Sequence, residues 1–133
     1  PVYCLMPDHG HFLLCGHSEE SDQRAAVRLF RQTWNRLLAP AYRLQRQAYD
    51  HVLQESQREH AAFQSAAWYI LQNPVRAGLA ADWAEWPYSG CLVPGSPTLD
   101  PRLADFWPLF WRIWNGLSEP APGAGEGLTA SAT

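Results

Sequence analysis

Lysine is absent from this 133-residue chain, so all ten basic residues are arginine. A biased base composition alone can produce that usage, and it excludes no function. No apolar run approaches the ~18 residues a membrane-spanning helix needs, and no signal-peptide pattern opens the chain. The expectation is a soluble, cytoplasmic protein with no membrane partner. Cysteine is scarce: Cys4, Cys15 and Cys91 are three, an odd number, and no two form a C-x2-C pair. A disulfide framework and the commonest structural zinc spacing are thereby disfavoured. There is no internal repeat, and no initiator methionine precedes the strand-like run that begins at Pro1. The chain reads as a piece of a longer protein or a decayed copy of one.

What is present supports an ordered domain: 47 % of residues are hydrophobic and seven are tryptophan. The net charge of −3 argues against a nucleic-acid partner, but the charges are segregated. From residue 23 to 54, Arg24, Arg28, Arg31, Arg36, Arg43 and Arg46 face one acid, Asp50, a local balance of six minus one, +5. Such a surface can hold phosphates even on an acidic protein. A solvated helix face accounts for it equally well.

"VYCLM" and "HFLLC" read as two short strands joined by a turn at Pro7-Asp8. "SEESDQRAAVRLFRQTWNRLLA" reads as a helix capped by Ser18 or Ser21, with acids in its first turn. Its buried face is expected at Val27, Phe30, Trp34 and Leu37 or Leu38, with Pro40 ending it. "QAYDHVLQ" alternates as a strand, and a second helix is expected from about Ser56 to Asn73 with Phe63, Ala67, Ile70 and Leu71 inward. "PVRAGL" fits a short turn of helix with Pro74 at its start and Gly78 past its end. The segment from Asp82 to Trp114 is rich in Trp and Pro and has no clear period. The division is therefore residues 1–91 as the main domain, 92–117 as a Trp/Pro-rich extension and 118–133 as a disordered tail.

Two histidines, His9 and His11, are spaced to share one face of a strand, close enough for one metal ion to bridge. Two surface histidines on a half-exposed strand would look the same. Cys4, Cys15 and His17 lie nearby and keep a structural zinc site open as a further reading. Tyr69 and Asn73 are four apart and share a helix face, where Asn73 could offer a metal an oxygen ligand or simply stop the helix.

Together "YCLMPDHGHFLL", "RLQRQAYDHVLQ", "YILQNPVRAGL" and "DWAEWPYSG" resemble, in order and approximate spacing, the single-tyrosine HUH transposases, above all the REP-associated tyrosine transposases of bacteria. The resemblance spans residues 2 to about 91. It implies an α+β, ferredoxin-like antiparallel sheet with helices on one face. It implies DNA cleavage and strand transfer through a 5′-phosphotyrosine, with a divalent metal, Mg or Mn, as cofactor. Residue by residue, His9, His11 and Asn73 match the metal site, Tyr69 the catalytic tyrosine, and His51 a histidine that positions the site. The implied partner is single-stranded or hairpin DNA, its phosphates held by Arg24, Arg28, Arg31, Arg43 and Arg46, with a homodimer as the implied assembly.

Three departures stand out. Gly10 replaces an apolar residue between the histidines, which predicts a loosely held pair. Leu44, Gln47 and Ala48 stand where Trp, Gly and an aromatic are commoner. The family's first strand and first helix are lacking, which predicts unpaired neighbouring strands. A non-catalytic DNA-binding remnant is the alternative to an active enzyme.

Overall fold

The computed structural model describes residues 2–16, 18, 20–46, 60–96 and 99–118, an α+β arrangement around a small antiparallel sheet. Strand β1 (Val2–Leu5) pairs with β2 (Gly10–Leu13) on one side and β3 (Ser89–Cys91) on the other. The β1–β2 hairpin turns at Pro7-Asp8, where the Met6 amide donates to the His9 carbonyl at 2.8 Å. Proline fixes its own φ for such a turn and needs no donor partner.

Among the described residues, both edges of β1 are paired, so the central position is filled by the chain's own strand. The alternation of β1 explains why it sits there. Val2 and Cys4 are fully buried, while Tyr3 and Leu5 on the other face are half-buried. β3 was not legible as a strand; it returns to pair Cys91 with Val2 and extends its pairing by a bridge from Cys91 to Leu99.

Helix α1 (Gln23–Leu38) is capped by Asp22, whose carboxylate accepts from the Ala25 amide at 2.9 Å. Ser18 and Ser21 therefore precede the cap rather than form it, and no acid falls in the first turn. No residue of α1 is fully buried, contrary to the expected core face: Leu37 is 72 % exposed, and Val27, Phe30, Trp34 and Leu38 are half-buried. Phe30 meets Phe12 of β2 edge to face, with ring centres 5.0 Å apart.

Helix α2 (His60–Leu71) packs across β1 and β2 and buries Phe63, Ala67, Ile70 and Leu71, the four positions its spacing indicated. Pro74 then breaks the run, because a proline cannot donate to the carbonyl four residues back. That carbonyl belongs to Ile70, and the Asn73 side-chain amide donates to it instead at 2.9 Å. A single turn of helix, α3 (Asn73–Arg76), follows, and Gly78 leaves it with φ of +70°, a conformation that favours glycine. A 3-10 turn at Trp83–Glu85 leads to β3.

Helix α4 (Phe106–Ser118) lies largely within the segment from Asp82 to Trp114 in which no clear period was expected. Phe106 and Phe110 are buried one turn apart in the same core as Val2, Cys4, Cys91, Val93 and Leu99. Phe110 stacks on Phe63 of α2 at 5.4 Å, so the two helices share an aromatic seam. Pro108 is accommodated because it lies in the first turn, where no helical donor is required. Trp107, Trp111 and Trp114 pack against this core, as do Trp83 and Trp86. Among the described residues, no helix is long and apolar enough to cross a membrane. The strand expected at "QAYDHVLQ" and the tail beyond Ser118 lie outside the described residues.

Candidate functional site

Strand register decides which way the histidines face. His11 pairs directly with Cys4, and residues opposite each other share a face. His11 therefore lies on the face of the sheet that α2 covers, and His9, two residues earlier, follows at the strand's mouth. The two Nε2 atoms are 3.1 Å apart, with the rings edge to face.

His9 is oriented from behind. Its Nδ1 lies 2.6 Å from an Asp8 carboxylate oxygen, and this bond holds the Asp8 carboxyl below the usual carboxylate range. A carboxylate behind an imidazole fixes the tautomer and leaves Nε2 to face forward, a common arrangement at metal-binding histidines. Burial, followed by the charges of His9 and Arg76, keeps the His11 imidazole below its ordinary value. A neutral ring is the form a cation requires.

A side chain at Gly10 would come within 2.8 Å of the Phe12 ring, which lies on the same face of the strand, away from the histidines, and Gly10 keeps its pairing to Leu5.

The histidine pair would fit a shared divalent ion, since two neutral Nε2 atoms 3.1 Å apart are close enough to reach one centre once no proton lies between them. Asn73 fits less simply. Its amide nitrogen serves the helix break, donating to the carbonyls of Ile70 and, at 3.3 Å, Tyr69, and its oxygen accepts from Arg76 at 3.0 Å. A ligand role would use the remaining acceptor capacity of that oxygen or require Arg76 to let go. Among the described residues, no three of His, Cys, Asp and Glu converge on one point. Cys4 is buried with its thiol toward the Met6 sulfur at 4.0 Å, and burial pushes the Cys15 thiol up to about 11.

Tyr69 is 62 % exposed at the end of α2, and the guanidinium of Arg76 stacks over its ring at 3.8 Å. Arg76 also donates to the Tyr69 carbonyl at 2.5 Å. Tyr69 lies in the last turn of α2, the helix that packs on both strands of the histidine hairpin. Arg76 and Asp8 are the two residues sequence reasoning did not assign. The signal for Arg76 was its spacing, seven after Tyr69 and three after Asn73, which keeps all three on one side of the helix path.

The basic residues divide. Arg24, Arg28, Arg43 and Arg46 are exposed. Arg31 serves the fold instead, because its guanidinium bonds the carbonyls of Gln45 and Arg46, while Asn35 accepts from the Leu44 amide at 2.7 Å. Together they tie the segment after α1 back onto the helix. His51 and His17 lie outside the described residues. No protein-family model, curated protein or solved structure matches the chain.

Proposed function

We propose that this chain is a transposase-like DNA strand-transfer nuclease of the single-tyrosine type, built on a ferredoxin-like domain and acting in the cytoplasm on single-stranded or hairpin DNA. One observation carries the reading. Two imidazoles converge at 3.1 Å on the sheet face covered by the helix that ends in an exposed tyrosine.

His9 and His11, with Asn73 as the third candidate, would hold the ion. When bound, Mg or Mn supplies Lewis acidity at a phosphoryl oxygen. Tyr69 provides the nucleophile: its phenolic oxygen forms a bond to phosphorus while the bond from phosphorus to the neighbouring 3′-oxygen breaks. The phenolic proton passes to solvent, and the departing 3′-oxygen takes one up. The product is a 5′-phosphotyrosine and a free 3′-hydroxyl, and the reverse attack by another 3′-hydroxyl rejoins the strand. Exposed Arg24, Arg28, Arg43 and Arg46 supply sequence-independent contacts to the backbone.

A second reading, a DNA-binding remnant that does not cleave, draws support from the engagement of the Asn73 oxygen by Arg76. Incubating labelled hairpin oligonucleotides with the chain and Mg or Mn, then running a denaturing gel, separates the two. The enzyme gives a covalent adduct that Tyr69→Phe abolishes and that a double His9→Ala, His11→Ala variant reduces by at least about 100-fold. A folded chain that binds the hairpin and forms no adduct is the remnant.

A further inference from the structure

Arg76 takes no part in the reaction above, yet it touches both Tyr69 and Asn73. Its guanidinium carbon lies 3.8 Å from the centre of the Tyr69 ring, a stacking distance at which a cation is attracted to the ring face. Nη2 donates to the Tyr69 carbonyl and to the Asn73 side-chain oxygen. Those two bonds use both hydrogens of Nη2. Nε and Nη1 carry three further N–H donors, and they have no hydrogen-bond acceptor among the described residues. Arg76 is exposed, and no carboxylate pairs with it among the described residues.

We propose that Arg76 is a substrate-binding residue: stacked on Tyr69, it uses its uncommitted Nε–H to hold a non-bridging oxygen of the DNA phosphate that Tyr69 attacks. This rests on the strand-transfer reading above. The geometry favours a phosphate over other anions. A nucleophilic oxygen must approach phosphorus to about 3–3.5 Å before it can attack. A phosphate brought that close to the Tyr69 hydroxyl comes within reach of a guanidinium lying on the same ring. With Nη2 committed, the contact runs through a single N–H, whose direction the planar, stacked guanidinium fixes and a flexible lysine ammonium does not. As the new bond to phosphorus forms and the 3′-oxygen bond breaks, negative charge builds on the non-bridging oxygens. A donor already fixed there by the stack and by two helix-end bonds needs no reorganisation to meet that charge. A purely structural Arg76 would hold the break at Pro74 and ignore phosphate.

Two measurements test this on the full chain. The first is the rate of adduct formation on hairpin DNA with Mn, at limiting and saturating DNA, for the original chain, Arg76→Lys and Arg76→Ala. The second, on the original chain, follows the Arg76 Nε–H resonance by NMR during titration with phenyl phosphate, which presents an aryl phosphate like the product. Arg76→Ala is expected to lose about 100-fold in rate at saturating DNA, with Arg76→Lys restoring little of it. Phenyl phosphate is expected to shift the Nε–H signal. An Arg76→Ala rate within about threefold of the original, with the Nε–H signal unmoved, overturns the assignment while leaving strand transfer standing. A shifted Nε–H signal in a chain that forms no adduct supports the phosphate site and instead overturns the reaction.

Discussion

His9 and His11 illustrate how much a two-residue spacing conveys. Strand alternation pointed to one face for both imidazoles, while the 3.1 Å approach of their Nε2 atoms depends on their rotamers. The orienting carboxylate was not legible, because whether Asp8 turns back onto His9 depends on the geometry of the Pro7-Asp8 turn. The protonation of this pair should register in stability. His11 titrates below its ordinary value of 6.5 because of burial first and the charges of His9 and Arg76 second. The unfolded chain therefore takes up this proton more readily than the folded one. The stability it contributes is present above that ordinary value and is lost as the pH falls from there through the lower folded value. Urea midpoints compared between about pH 7.5 and about pH 5 should fall further for the original chain than for His11→Asn. Equal falls would show that the His11 environment does not disfavour its charge. The cysteines make a second test at this scale. Cys4 and Cys91 are fully buried and Cys15 is pushed up to about 11 by burial, so all three thiols should resist alkylation at mildly alkaline pH until the chain unfolds. Rapid native labelling of any of them would contradict the packing described.

At the scale of elements, success followed periodicity. The hairpin and α2 carry clean period-2 and helical patterns, and the expected inward residues of α2 are the buried ones. Helix α1 carries an equally clear pattern and buries nothing fully, since a pattern states which face is apolar and not how much partner surface meets it. Helix α4 was missed although Phe106, Leu109, Phe110, Ile113 and Leu117 recur at helical spacing, because Pro108 sits inside that run and Trp107 and Trp111 flank the stripe. The Asn73-Pro74 break was legible as a stop, but the reuse of the Asn73 amide to serve the Ile70 carbonyl was not. The aromatic seam between α2 and α4 offers a direct check. Phe110 is fully buried and touches Phe63, so Phe110→Ala should cost about 3–5 kcal/mol of unfolding free energy in denaturant melts. A cost below about 1 kcal/mol would mean that α4 is not part of the core.

For the molecule as a whole, the core runs from the first strand to the last helix. Among the described residues, Val93, Leu99, Phe106 and Phe110 are four of the eleven buried apolar residues, so the fold depends on residues beyond 91. The sequence resemblance ends near that point, and a boundary drawn from it cuts through shared packing. A chain ending at residue 96 should consequently lose its cooperative thermal transition, whereas cooperative unfolding of that shorter chain would restore the boundary at 91. The candidate site, by contrast, draws on two groups far apart in sequence, Asp8–His9–His11 on the hairpin and Tyr69–Asn73–Arg76 at the end of α2 and in α3, and α2 packs on that hairpin. Its central claim is that this assembly serves Tyr69 as a nucleophile toward DNA. The most direct measurement is intact and peptide-level mass spectrometry of the chain after incubation with a single-stranded hairpin and Mn. Strand transfer predicts a mass increase equal to the 5′-phosphorylated DNA fragment, located on the peptide containing Tyr69 and dependent on the added metal. A folded, hairpin-bound chain of unchanged mass, or a DNA adduct on any residue other than Tyr69, would contradict it.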